Sequence, residues 1–181
     1  GSAHLINFMG SDTIAGIICA NEYYNCPMAG FSIPAAEHSS ITSWGKENEV
    51  EAYRNMLTQF AKPGSFVAVV SDSYDIYNAV ENIWINRGLI ARVKELGATV
   101  VIRPDSGRPD VVPIEIIQLI ADKYGYTINS KGYKVLPPEV RVIQGDGITP
   151  ETIKIILDKL LDAGFSASNI AFGMGSGLLQ Q

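Results

Sequence analysis

The chain has little of what several large classes of protein require. Cysteine occurs twice, at Cys19 and Cys26, and histidine twice, at His4 and His38. Neither cysteine sits in a C-x-x-C pair or near a histidine cluster, and the histidines are too few and too far apart for a zinc site. An acidic chain of this size has no need of a disulfide, so both cysteines are read as buried thiols. Positive charge is scarce as well: 14 lysines and arginines stand against 19 aspartates and glutamates, a net charge of -5. Without a basic stripe to neutralise a phosphate backbone, nucleic acid is not an expected partner. No apolar run approaches the roughly 18 to 20 residues of a membrane span, and the first residues lack a basic segment followed by an apolar one. These absences lead to the expectation of a soluble cytoplasmic protein without a membrane partner.

What the chain does have is apolar surface, 46% of 181 residues, enough for one compact core. Gly1 and Ser2 resemble a scar of tag removal, which leads to the expectation that Ala3 is a chosen boundary and the chain a fragment. Gly, Pro and Ser clusters punctuate the chain without extending into a linker, so residues 3–181 are read as a single domain.

Apolar runs of strand length recur at 5–8, 66–70, 99–102, 140–143 and 169–172. Helical spacing fills 13–24, 40–60, 74–85, 110–124 and 150–163, with Asp12 placed to cap the first and Thr149 and Pro150 the last. The segment 127–138, which holds Asn129, Gly132 and the Pro137-Pro138 pair, is expected to form an ordered excursion or a short hairpin. Near-continuous apolar strands alternating with helices predict an α/β fold with a parallel sheet covered by helices.

Each strand breaks into polar residues at its end. Ser71-Asp72-Ser73-Tyr74-Asp75 follows the second, Arg103-Pro104-Asp105-Ser106-Gly107 the third, Gln144-Gly145-Asp146-Gly147 the fourth and Gly173-Met174-Gly175-Ser176-Gly177 the last. Any one of these loops reads as a helix cap and turn. Because the carboxyl ends of parallel strands share one rim, four together predict a single site. A barrel would converge every loop and an open doubly wound sheet only two or three, so part of a barrel is favoured, although 181 residues fall short of the roughly 250 of a complete one. Aspartates crowded on one rim call for a cation or a hydroxyl-rich ligand, and Arg103 suggests an anionic group. The glycine-rich stretch 173–177 reads equally as a phosphate cradle or a tight strand-to-helix turn. Together the rim asks for a phosphorylated sugar.

Seven segments, FMGSDTIAG, SIPAAEHSSITSWG, VSDSYDIYN, IRPDSG, SKGYK-LPP, RVIQGDG and NIAFG-G-GLLQ, resemble the nicotinate/nicotinamide phosphoribosyltransferase family in its nicotinamide-using branch, in order and across nearly the whole chain. The resemblance implies an irregular, TIM-like α/β barrel of the type II phosphoribosyltransferases, assembled as a homodimer. It further implies transfer of phosphoribose from 5-phosphoribosyl 1-pyrophosphate to nicotinamide, giving nicotinamide mononucleotide and pyrophosphate, with magnesium on the pyrophosphate. By position, Asp12 matches the carboxylate that accepts from the nicotinamide amide and would repel a nicotinate carboxylate. Ser32 matches the entrance to the nicotinamide tunnel, and Arg103 an arginine that packs on the pyridine ring and contacts diphosphate. Asp105, Gly145 and Asp146 match ribose-contacting positions, and Gly175 and Ser176 the phosphate turn, Ser176 where the family usually has glycine. His38 matches a diphosphate-contacting histidine whose phosphorylation couples ATP hydrolysis to synthesis; read alone it is a helix-start residue. Asp75 matches an acid near pyrophosphate and magnesium.

The transfer needs alignment and leaving-group stabilisation, not a covalent nucleophile, which agrees with the lack of any Ser-His-Asp or Cys-His arrangement. The family chain is longer, and its flanks supply an aromatic for the other ring face and further basic residues. The expectation is therefore that these residues carry much of the site but little or no activity alone. A nicotinate-using relative, or a non-catalytic nucleotide-binding or self-associating barrel piece, remains the alternative.

Overall fold

A computed structural model of the protein describes residues 14–30 and 32–173. Contacts divide the chain into two compact units, residues 1–33 with 175–181 and residues 34–174. In the first, helix α1 (Ile14–Tyr24) buries Gly16 and Ala20. Ile14 and Ile18 remain exposed, because apolar residues surround this helix and one contact face cannot cover them all. The chain leaves α1 through Asn25, whose φ is 51°, and the Cys26 amide donates to the Ala20 carbonyl at 3.1 Å. Cys26 is exposed and Cys19 half-buried, which corrects the expectation of two buried thiols. The strand expected at 5–8 lies outside the described residues.

The second unit holds strands β1 (Phe66–Val70), β2 (Thr99–Arg103), β3 (Thr127–Ile128), β4 (Lys134–Val135), β5 (Val140–Gln144) and β6 (Ile170–Phe172). Four of them form one parallel sheet in the order β1-β2-β5-β6. β3 and β4 pair antiparallel, so the excursion expected at 127–138 contains a hairpin. On the outer side of β1 the sheet gains a short contact: the Ala36 amide donates to the Ala68 carbonyl and the Ala68 amide to the Pro34 carbonyl, each at 2.9 Å. The strand order runs without reversal, and right-handed crossovers in such a series place successive helices on the same face.

That face carries the rows Val67-Val100-Val140 and Val69-Ile102-Val142, aligned by register and fully buried. Against them pack α3 (Glu49–Phe60), α5 (Leu89–Glu95), α6 (Val112–Tyr124) and α7 (Pro150–Asp162), through Tyr53, Met56, Ile90, Ile116, Ile120 and Leu160. Thr149 caps α7 with Pro150 in its first turn, as its sequence predicts.

Two helical expectations are corrected, and one helix was not foreseen. The single helix expected over 40–60 is broken into α2 (His38–Thr42), a 3-10 turn (Lys46–Asn48) and α3. The break falls at Gly45, whose φ of 79° ends one helix and redirects the chain. The helix expected over 74–85 starts later, at α4 (Ile76–Asn78), and continues as a π-helix over Ala79–Ile85. Its wider turn brings Ala79, Val80 and Trp84 all into the core. Helix α5 was not expected at all; its seven residues, starting after Gly88, are too few for a clear period.

Trp84 is the largest fully buried side chain. It stacks on Tyr53 with ring centroids 4.9 Å apart, and its Nε1 donates to Ser71 Oγ at 3.0 Å. It thus anchors the end of β1 to the helical layer. Trp84→Ala should cost about 3–5 kcal/mol of stability, read from the denaturation midpoint of the whole protein. A loss below about 1 kcal/mol would show that the indole is not the anchor.

Candidate functional site

The carboxyl ends of the parallel strands share one rim, and Asp72 ties those of β1 and β2 together. It follows β1, and only 3% of its side chain is exposed. Its Oδ1 lies 2.9 Å from His38 Nε2 at the start of α2. Its Oδ2 accepts from the Asp105 amide at 2.9 Å and from Ser106 Oγ at 2.5 Å, both in the loop after β2. Burial pushes the Asp72 carboxyl upward, but the bonds from Ser106, the Asp105 amide and His38 outweigh it, and the group sits below the usual aspartate value. An ionised carboxylate only accepts, so this contact places a proton on His38 Nε2.

Arg103, the last residue of β2, forms the second knot. Its Nη1 and Nη2 donate to Glu37 Oε1 and Oε2 at 3.2 and 2.7 Å, and its Nε lies 3.7 Å from Asp105 Oδ1. The guanidinium holds the Glu37 carboxyl below its ordinary value. Glu37 is itself fixed at the helix start, its amide donating to Ser40 Oγ at 2.9 Å while the Ser40 amide donates back to its carbonyl. The adjacent residues Glu37 and His38 therefore reach the ends of two different strands.

The tips approach closely. The Ser71 amide donates to the Arg103 carbonyl at 3.0 Å, and the Gly173 amide to the Gln144 carbonyl at 2.9 Å. A Cβ at Gly145 would lie 3.2 Å from Asp105 Oδ1 and 4.0 Å from Arg103 Cδ, so any side chain there would press on Asp105, and the β2 and β5 loops run close together. Among the described residues, the buried side-chain polar atoms without a hydrogen-bond partner are Ser73 Oγ, Arg103 Nε and Gln144 Oε1. All three belong to this rim, at the ends of β1, β2 and β5. Concentrated unmet polar atoms of this kind mark a place built for something other than stability.

Of the residues singled out in the sequence, His38, Arg103, Asp105 and Gly145 come together here. Asp146 follows Gly145 with its side chain exposed, while its carbonyl accepts from Gln144 Nε2 at 3.0 Å. Asp75 lies in the same loop as Asp72, but its Oδ1 caps α4, accepting from the Tyr77 and Asn78 amides at 3.0 Å each. Asp12, Gly175 and Ser176 lie outside the described residues, and Ser32 is exposed in the first unit. Sequence reasoning missed Glu37, Ser106 and the role of Asp72. Asp72 had a usable signal, since it stands two residues beyond an apolar strand, nearer the rim than Asp75.

The family model for the nicotinate phosphoribosyltransferase (NAPRTase) family matches residues 1–181. The chain belongs to this family. Among curated relatives it is similar to proteins named nicotinamide phosphoribosyltransferase from Xanthomonas campestris pv. campestris (strain 8004), 56% identical over 181 residues, and from Mycoplasma pneumoniae, 35% identical over 189 residues. A third, from Acinetobacter baylyi, is 34% identical over 194 residues. The alignments cover 100%, 97% and 97% of this chain but only 38%, 39% and 38% of those relatives. The chain thus spans well under half the length of the family members it matches.

The Asp72 knot makes the rim sensitive to acid in a defined direction. Because the folded Asp72 value is depressed, its contribution is present above the ordinary aspartate value of about 3.9 and is lost as pH falls through the lower folded value. The Asp105 amide should stay protected from hydrogen exchange at about pH 4 and lose protection only below it. In Asp72→Asn the same amide should exchange at least roughly tenfold faster at neutral pH. Unchanged exchange would remove Asp72 as the tie between β1 and β2.

Proposed function

We propose that the protein carrying this chain transfers phosphoribose from 5-phosphoribosyl 1-pyrophosphate to nicotinamide, forming nicotinamide mononucleotide and pyrophosphate in NAD salvage. The observation that carries this reading is the single rim on which Arg103, Asp105 and Gly145 come together in a chain that matches the family over its full length. The strand order without reversal supports an irregular barrel as the architecture of the whole, and we take the working enzyme to be a cytoplasmic homodimer. Among the described residues no helix is long and apolar enough to cross a membrane.

In the reaction the pyridine nitrogen forms a bond to the anomeric carbon of ribose while the bond from that carbon to pyrophosphate breaks. The sugar passes through an oxocarbenium-like state, so the protein's task is alignment and charge placement. The Arg103 guanidinium takes the pyridine ring, and Asp105 and Asp146, beside Gly145, accept from ribose hydroxyls. His38 contacts the diphosphate and would accept a phosphoryl group from ATP if hydrolysis is coupled to synthesis. Gly175 and Ser176 offer amides to the 5-phosphate, and Ser32 borders the nicotinamide entrance.

Magnesium fits this site as a companion of the substrate. Asp75 has one oxygen committed to capping α4, and among the described residues no three His, Cys, Asp or Glu side chains group to hold an ion. Asp75 is the residue that would help hold the ion, which would neutralise charge on the pyrophosphate leaving group. Because the chain spans about 38% of its relatives' length, we also read turnover as needing parts of them that it does not span.

Nicotinamide is chosen over nicotinate by Asp12, whose charge repels the acid and whose oxygen accepts from the amide. In a competition assay with the whole enzyme, nicotinamide should be used at least about a hundredfold better, and Asp12→Asn should shrink that preference by roughly tenfold or more. Equal use of both by the unaltered enzyme would favour the nicotinate-using alternative.

A further inference from the structure

We propose that Gln144 is a positioning residue for the ribose contact: from beneath the rim its side-chain amide sets the direction of Asp146. This deepens the phosphoribosyl-transfer reading above and rests on it. Along β5 burial alternates, so Val140, Val142 and Gln144 point to one side. The two valines lie in the buried rows that face the helical layer, and Gln144 is the next position of that alternation, with 1% of its surface exposed. A polar amide thus stands where the strand pattern calls for an apolar side chain. Its Nε2 donates to the Asp146 carbonyl at 3.0 Å, while its Oε1 is buried without a hydrogen-bond partner among the described residues. Stability alone does not favour that choice, because an unmet buried acceptor costs at least as much as one neutral hydrogen bond returns.

What the bond supplies is geometry. Asp146 stands between Gly145 and Gly147, and neither neighbour has a side chain to fix the turn. The far end of the loop is held by Thr152, whose Oγ1 donates to the Gly147 carbonyl at 3.0 Å. The near end is held at β6, where the Gly173 amide donates to the Gln144 carbonyl at 2.9 Å. Between these anchors, among the described residues, the hydrogen bond that reaches Asp146 itself is the one from Gln144 Nε2. It draws the Asp146 carbonyl down to a buried group, so an exposed residue between two glycines keeps one orientation beside Asp105. Gln144 touches no substrate; it acts through the plane it gives the Asp146 peptide.

Steady-state kinetics and denaturation of the whole enzyme test this. Gln144→Met keeps the length and fills the buried position with apolar atoms, and water can take up the freed carbonyl because Asp146 is exposed. The denaturation midpoint should therefore stay within about 3 °C of the unaltered enzyme. The KM for 5-phosphoribosyl 1-pyrophosphate should rise roughly tenfold, with that for nicotinamide within about twofold. Gln144→Asn, whose amide falls short of the carbonyl, should give the same split and decides the matter if Gln144→Met does not fold. In an Asp146→Ala background, adding Gln144→Met should change the first KM by less than about twofold, since nothing is left to position. Unchanged KM values, two that rise together, or full additivity with Asp146→Ala would overturn the assignment. Turnover by the unaltered enzyme is measured first; its absence would refute the transfer reading and this assignment with it, whereas turnover with the wrong split refutes the assignment alone.

Discussion

One buried carboxylate organises this rim. A parallel sheet delivers its strand ends to a common edge, but nothing in the ladder holds the loops beyond it, because backbone pairing stops where the strands stop. Asp72 takes over at that point. Its two oxygens take three contacts from two other elements at once: His38 on α2, and the amide and hydroxyl of consecutive residues after β2. A neutral side chain could satisfy some of these donors but not all of them, since only an ionised carboxylate offers acceptors on both oxygens with no hydrogen to place. The charge is therefore a geometric requirement of the rim before it is anything chemical.

The rim's electrostatics follow from the same economy of cations. Glu37, Asp72, Asp105 and Asp146 stand around one arginine and one histidine, an acidic balance at odds with a site for a phosphorylated substrate. The conflict eases once each carboxylate is assigned. Glu37 is neutralised by Arg103, and Asp72 is consumed by internal donors. Asp105 and Asp146 are left with oxygens to offer, which suits hydroxyls and not phosphates. Under the proposed phosphoribosyl transfer, phosphate would fall to backbone amides, which bind it without adding charge.

Much of this was legible in the sequence, for reasons that can be given residue by residue. The four parallel strands announced themselves as short β-branched runs at regular intervals, and each stands within a residue of its expected place. The hairpin in 127–138 was readable from Asn129 and Gly132, residues that favour tight turns. Less legible were the helices whose limits depend on one backbone angle or on packing: the break at Gly45, the π-turns that bury Trp84, and the seven residues of α5. Apolar spacing alone carries no information on those choices. In the site, Arg103, Asp105, Gly145 and His38 were found by position on strand ends or by family likeness. Glu37 was passed over because an exposed glutamate beside a helix start looks like any other cap, and its partner lies 66 residues away.

The pair Asp72 and Asp75 shows why a rim cannot be read from residue type alone. Both are aspartates in one five-residue loop, and both accept hydrogen bonds from backbone amides. Asp75 bonds forward along the chain, to amides two and three residues on, which is what any aspartate before a helix does. Asp72 bonds across the fold, to residues 33 and 34 positions away in one direction and 34 in the other. The local bonds of Asp75 would form in a peptide; those of Asp72 exist only after three elements have docked. Local partners are predicted by sequence spacing, whereas the long-range set is an outcome of the sheet. A carboxylate whose hydrogen bonds all depend on the completed fold is therefore the one whose environment the fold controls, and the one on which the positions of His38 and Asp105 can be made to depend.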